Sequence, residues 1–300
     1  MYKQTLKAIM ALLFSGSATI GLAGNDTMLL HSGWKFRQAG HSEWHPATVP
    51  GVVHTDLMDN GLIEDPYYRL NERSLQWIDK EDWIYEVSFD AGALTRGYEH
   101  IRLEFLGLDT YADVFLNETQ ILTADNMFRR WAAEVKPLLK ERGNVLRIYF
   151  HSPIKKALPQ YESLPYRYEA WNDQADNGGL AGKKLSPFTR KAGYHYGWDW
   201  GPRLVTSGIW RPVKLQGWNS LRLEDVFHHQ HEVSQETARV ETQVEIEAAA
   251  PVENAVITVS DGKRVLGSRS VQLHVGMNRV SVPFTIDNPK LWWCRGMGEP

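Results

Sequence analysis

The 300-residue sequence predicts an all-β protein built from antiparallel sheets. Two observations carry that expectation. From Asn25 onward, apolar and polar residues alternate over short segments bounded by turn residues. Beyond Trp218, further alternating segments follow at the spacing of an immunoglobulin-like sandwich. The length suffices for two domains with cores of their own, and 43% hydrophobic with 23% charged residues is an ordinary globular composition.

The elements follow in chain order. Residues 1–24 read as a secretory signal peptide: Lys3 and Lys7 precede the apolar run Ala8 to Phe14, and small residues lead to Ala23 and Gly24. The run is too short to span a bilayer, so export to a periplasmic or extracellular space is expected rather than membrane anchoring. In the domain expected over 25–217, Val52 to Met58 reads as a short helical turn. Trp83, Tyr85, Val87 and Phe89 alternate with polar or smaller neighbours, as do Ile101, Leu103 and Phe105, so each segment is a strand with one buried face. Asp113 to Leu116, the turn at Asn117-Glu118-Thr119, and Gln120 to Leu122 predict a hairpin, and the more continuously apolar Val145 to Phe150 predicts a central strand.

His151 to Ala192 shows no sustained period and is broken by Pro153, Pro159, Pro165, Pro187 and Gly178-Gly179. A connection of that length inside a compact domain tends to be functional. Most of its aromatics, Tyr161, Tyr166, Tyr168, Trp171 and Phe188, are expected to staple it down. The second domain is expected over 218–300. Val240 to Ile246 is its clearest half-buried strand, followed by strands at Ala255–Val259, Arg264–Ser268, Ser270–Val275 and Asn278–Ile286.

Composition excludes several functions. The net charge of -3 comes without a basic block, which argues against nucleic-acid and anionic-membrane partners. Cys294 is the single cysteine, so neither a disulfide framework nor a thiolate metal site is available. His228-His229-Gln230-His231 reads as an exposed strand or turn, and no metal ligand set, cofactor motif or nucleophile elbow is found. No convincing pair of carboxylates for glycoside hydrolysis is present, so no catalytic residue is assigned.

The ten residues Tyr194-His195-Tyr196-Gly197-Trp198-Asp199-Trp200-Gly201-Pro202-Arg203 concentrate the chemistry. Glycine and proline keep them out of a helix interior, and loops of such content contact ligands. Indole faces stack on the apolar C–H faces of sugars, and a carboxylate accepts hydrogen bonds from sugar hydroxyls. Trp198 and Asp199 are therefore the candidate substrate-binding residues, while Trp200 is read as a buried plug and Arg203 as an anchor on a backbone carbonyl.

That motif, with Ser32 to Phe36, Ala47 to Leu57, Asp65 to Tyr68, Asp82 to Tyr85, Gly107 to Ala112, Asn126 to Arg130 and Ser207 to Pro212, resembles glycoside hydrolase family 2. Gly197 to Arg203 is particular to its exo-acting β-mannosidase branch, and the resemblance covers nearly the whole mature chain. It implies an N-terminal jelly-roll, galactose-binding-like β-sandwich, then an immunoglobulin-like β-sandwich, then a (β/α)8 barrel that carries both catalytic glutamates. It implies retaining hydrolysis of terminal non-reducing β-D-mannose from an oligosaccharide or glycan. Asp199 would accept hydrogen bonds from ring hydroxyls and Trp198 would shape the subsite wall. The sequence departs from that pattern in lacking the barrel and in an immunoglobulin-like domain cut at its C-terminal end. The expectation is an N-terminal portion that is inactive alone and partnered by the missing barrel. A free-standing carbohydrate-binding module, a scaffold domain or another family 2 specificity are the alternatives.

Overall fold

A computed structural model of the chain describes residues 12–14, 26–262 and 264–298. Most of the expected leader lies outside the described residues; Leu12–Phe14 (β1) is described as a strand. The chain divides into two compact units, one over 26–217 and one over 218–300 that also takes in Leu12–Phe14.

The 26–217 unit packs a four-stranded sheet and a six-stranded sheet around one core. The smaller sheet has the order β2 (Asp26–Leu29), β11 (Val213–Trp218), β6 (His100–Phe105), β9 (Trp131–Glu134). The larger runs β4 (His45–Pro46), β3 (Lys35–Gln38), β5 (Trp83–Phe89), β10 (Asn144–Phe150), β7 (Tyr111–Leu116), β8 (Thr119–Asp125). Residues two apart on a strand share a face, so Tyr85 and Val87, Ile101, Leu103 and Phe105, and Leu146, Ile148 and Phe150 enter the core together. The expected central strand β10 lies between β5 and β7, and the β7–β8 turn uses positive φ at Asn117 (49°) and Glu118 (68°).

Strand β5 departs from simple alternation, because Ile84 and Glu86 on its outer face are buried too. Glu86 tolerates this because its cross-strand partners are cations: Lys35 Nζ lies 2.9 Å and Arg147 Nη2 2.8 Å from its carboxylate. Burial acts to raise its pKa, but these two partners outweigh it and hold the carboxyl below its ordinary value.

Helix α1 (Val53–Asp59) realises the expected turn at one end of the sandwich. Its Asp56 carboxylate accepts from Thr48 N at 2.8 Å and Tyr85 Oη at 2.6 Å, which ties the helix to the core. Helices α2 (Asn71–Ser74) and α3 (Gly92–Gly97) are single turns in connections. The long segment is more ordered than its sequence suggests: Pro153–Ser163 forms an eleven-residue helix, α4, with Pro153 in the first turn and Ser152 Oγ accepting from Lys155 N at 3.1 Å. Its exposed Pro159 hid the periodicity, although Ile154, Ala157, Leu158 and Tyr161 occupy one face. That face joins Leu185, Tyr196 and Val205 in a small separate core. Stapling holds for Tyr161 and Phe188, which pack edge to face there, but Tyr166, Tyr168 and Trp171 are exposed.

The second unit has one sheet of β12 (Leu221–Val233), β13 (Thr237–Ala248) and β16 (Gly276–Asp287). Its other sheet has β14 (Val252–Ser260) between β1 and β15 (Val265–Leu273). Val244, Ile246, Ile257, Leu273 and Val282 form its core. The two strands expected at 264–268 and 270–275 are one, because pairing with β14 runs from Val252↔Leu273 to Ser260↔Val265. Backbone pairing holds this strand where apolar alternation is weak.

Candidate functional site

The tryptophan-rich stretch begins as a 3-10 turn, Gly193–Tyr196, that buries Tyr196 completely in the small core. Gly197 then reverses the chain at φ 110°, in a space where a Cβ would come within 2.6 Å of Gln174 Cγ. Trp198 and Gly201 close a tight turn, each backbone N–H donating to the other's carbonyl at 3.4 and 3.3 Å. Gln174 Nε2 donates to Trp198 O at 2.6 Å, which fixes the base of that turn.

Arg203 is the anchor, though on side chains and not on the expected backbone carbonyl. Its guanidinium, 1% exposed, donates to Gln76 Oε1 at 2.6 Å and stands 2.6 Å from Asp79 Oδ2. Its backbone N donates to Glu72 Oε1 at 2.7 Å, and its carbonyl accepts from Gln76 Nε2 at 2.8 Å. The plug reading of Trp200 is overturned: at 87% exposure it projects from the tip of the turn. The turn closed between Trp198 and Gly201 sets Trp200 at its tip, where the indole meets solvent.

Beside the turn lies a cavity of about 980 Å³. Its walls come from three separated stretches: Val52 to Met58 around α1, Asp65 to Tyr67, and Tyr194 to Thr206. Trp198, 41% exposed, lines it together with Trp200, Tyr194 and Tyr67. Asp199 is exposed at the tip, between two lining indoles, and is not part of the cavity wall. Among the described residues, Asp65 is the single carboxylate on the wall, and its Oδ1 accepts from Tyr67 N at 2.8 Å.

The floor was not legible as a site. Segment 204–209 binds the α1 entry on one side, through Val53 N→Ser207 O at 2.8 Å and Gly51 N→Ile209 O at 2.9 Å. On the other side Gly208 and Asp109 exchange two backbone hydrogen bonds of 2.9 Å. This brings His54 Nδ1 within 2.9 Å of Thr206 Oγ1, and Lys191 Nζ onto Thr206 O at 2.8 Å and the Asp109 carboxylate. Lys191 and Asp109 are fully buried. Burial first, then the Lys191 charge, pushes His54 down to about 3 and His195 down to about 4. Both imidazoles are neutral at neutral and mildly acid pH, so they add no charge to the buried Lys191–Asp109 pair beneath them. The signal for these residues was present in the motifs that contain His54, Asp65 to Tyr67, and Asp109.

The histidines of β12 lie elsewhere: His228 Nδ1 is 2.8 Å from Thr242 Oγ1, and the His229 and His231 rings meet at 4.3 Å. No group of three or more metal-ligating side chains is assembled among the described residues.

Residues 34–211 match the family described as glycosyl hydrolase 2 galactose-binding domain-like. The chain belongs to the glycosyl hydrolase 2 family. This glycosyl hydrolase 2 chain is 36% identical over 269 residues to a protein named beta-mannosidase B from Thermothelomyces thermophilus, a match covering 88% of this chain and 30% of that one. It is 34% identical over 280 residues to beta-mannosidase B of Aspergillus oryzae, covering 90% and 32%. Among solved structures it is similar to a β-D-mannosidase from Dictyoglomus thermophilum, with a TM-score of 0.80, 39% identity, and coverage of 91% of this chain and 33% of that one. Similarity to an exo-chitosanase of Amycolatopsis orientalis, TM-score 0.66 at 19% identity with 91% and 30% coverage, shows the shared fold. The chain thus spans about a third of the length of the curated relatives it matches.

Proposed function

We propose that this chain is the N-terminal part of an exported, retaining β-mannosidase that removes terminal non-reducing β-D-mannose from oligosaccharides or glycans. In this reading it supplies one wall of the sugar subsite to a catalytic barrel. The observation that carries it is the rigid turn that exposes Trp198 and Asp199 at the lip of the 980 Å³ cavity. An indole that is held outward, with a carboxylate beside it, offers a stacking face and a hydroxyl acceptor to a neutral sugar. Lining residues that carry a single, already engaged carboxylate supply binding but not the acid and nucleophile of glycoside hydrolysis. The β-mannosidase names and identities of the relatives support the substrate class. The leader-like composition of residues 1–24 supports export.

The test is a hybrid in which residues 25–300 replace the matched third of the Dictyoglomus thermophilum β-D-mannosidase. It is expected to hydrolyse 4-nitrophenyl β-D-mannoside, and Asp199→Ala within it to lower kcat/KM by at least about tenfold, or about 1.4 kcal/mol. An active hybrid indifferent to Asp199→Ala would remove the subsite role. Turnover by the 300-residue chain alone would refute the assignment of catalysis to the barrel.

A further inference from the structure

A second cavity, of about 610 Å³, shares no lining residue with the first. It lies between the C-terminal end of α4, which contributes Gln160 and Ser163, the loop residue Tyr168, and the segment Phe188-Thr189-Arg190. Phe188 in its wall packs edge to face on Tyr161 against the small core.

Tyr168 is 47% exposed, yet its ring is fixed. Phe188 meets it at 5.7 Å and Tyr166 meets it edge to face at 5.4 Å, with the two phenol oxygens 3.2 Å apart. The backbone that carries it is clamped by Arg167, whose guanidinium donates to Leu164 O at 2.7 Å and Tyr166 O at 3.0 Å and lies 4.4 Å from the Tyr161 ring centroid. A half-exposed aromatic ring that is held in place on a surface is an open stacking platform. Around it stand the Gln160 amide, the Ser163 hydroxyl and the Arg190 guanidinium, which together can donate to and accept from ligand hydroxyls.

The charges decide the ligand class. Arg190 is already paired with Asp125 at 2.9 Å, and Arg167 is spent on carbonyls and a ring. The nearby Lys183 is paired with Glu162 at 2.8 Å. Among the described lining residues Arg190 is the one cation, and with its charge matched by Asp125 it offers its remaining N–H groups as donors to hydroxyls, while the lining is too polar for a lipid or apolar peptide. We propose that this cavity is a second, non-catalytic binding site for a neutral oligosaccharide, with one hexose lying on the Tyr168 ring and its hydroxyls bonded to Gln160, Ser163 and Arg190. A volume of this size accommodates two to three hexose units at roughly 200 Å³ each, within the range of ligand cavities.

The proposal goes beyond the mannosidase reading and does not rest on it. It is tested on the whole chain by 15N–1H NMR titration with β-1,4-mannotetraose, cellotetraose and, as a charged control, tetragalacturonate. The expected result is saturable binding of at least one neutral sugar at affinities on the order of millimolar, with shifts confined to residues 160–168 and 187–190. Tyr168→Ala is expected to weaken that binding by about tenfold or more, Tyr168→Phe to retain it, and Trp198→Ala to leave it unchanged. Shifts from neutral sugars only around Trp198, no saturable shift at all, tighter binding of tetragalacturonate, or indifference to Tyr168→Ala would each overturn it. Failure here leaves the hybrid's response to Asp199→Ala untouched, so the two readings fall separately.

Discussion

Replacing Arg203 by methionine removes the charge that the Trp198 turn hangs from while keeping most of the side chain's volume. Arg203 and Asp79 are both buried, 2.6 Å apart, and Gly178 packs so closely that a Cβ there would lie 2.5 Å from the guanidinium carbon. Removing one member of a buried ion pair strands the other, at a cost of about 3–5 kcal/mol. For a unit of this length, each kcal/mol lowers Tm by about 2–4 °C, so a loss of about 6–20 °C is expected. The deficit depends on pH in a defined direction. Burial already raises the Asp79 pKa, with Arg203 the main influence opposing it, so Arg203→Met raises it further. An acid whose folded pKa exceeds its unfolded value of about 3.9 binds more protons when folded, and its stability contribution is lost as pH rises through that window. The variant's deficit is therefore smallest at acid pH, near or below the unfolded value of about 3.9, and grows as pH rises through the raised folded pKa. Thermal unfolding followed by near-ultraviolet circular dichroism reads both quantities. A loss under about 1 kcal/mol, or one independent of pH, refutes the claim that charge pairing holds this turn.

Three further perturbations probe the site. Gly197→Ala places a Cβ against Gln174 at a φ of 110°, and a cost of about 1–3 kcal/mol with altered Trp198 fluorescence is expected in denaturant unfolding. Trp200→Ala is expected to change stability by less than about 0.5 kcal/mol while removing a water-exposed emission component, the opposite of a core plug. His54 and His195, held near 3 and 4, bind protons in the unfolded chain below about pH 6.5 but not in the folded one. Stability therefore rises with pH up to about 6.5 and is lost on acidification, with a slope of up to about 1.4 kcal/mol per pH unit for each residue. His54→Gln should flatten that slope in urea titrations between pH 4 and 7.

The strands were legible because alternation with period two is a local property, and Tyr85, Val87, Ile148 and Phe150 display it without reference to any partner. Helix α4 was missed because Pro159 reads as a breaker, although the prolyl ring sits on the solvent side and the apolar face passes beneath it. Trp200 was misjudged because composition says that an indole prefers burial, whereas the direction it points is set by Gly197 and the Trp198–Gly201 turn. Trp198 lines a cavity, while Asp199 stands beside that cavity and not within it.

By itself the sequence determined the all-β class, the family to which residues 34–211 belong, and the stretch that carries the aromatic chemistry. These follow from periodicity and from short contiguous motifs, which need no knowledge of distant contacts. Only the tertiary structure decided what lies under that stretch. His54 and Thr206 meet at a sequence separation of 152, Lys191 finds Asp109 at 82, and Arg203 finds Gln76 at 127. Each of those pairings depends on how two sheets and their connecting loops close around the core. The floor beneath the site and its fixed turn are consequences of that closure, and no local pattern encodes them.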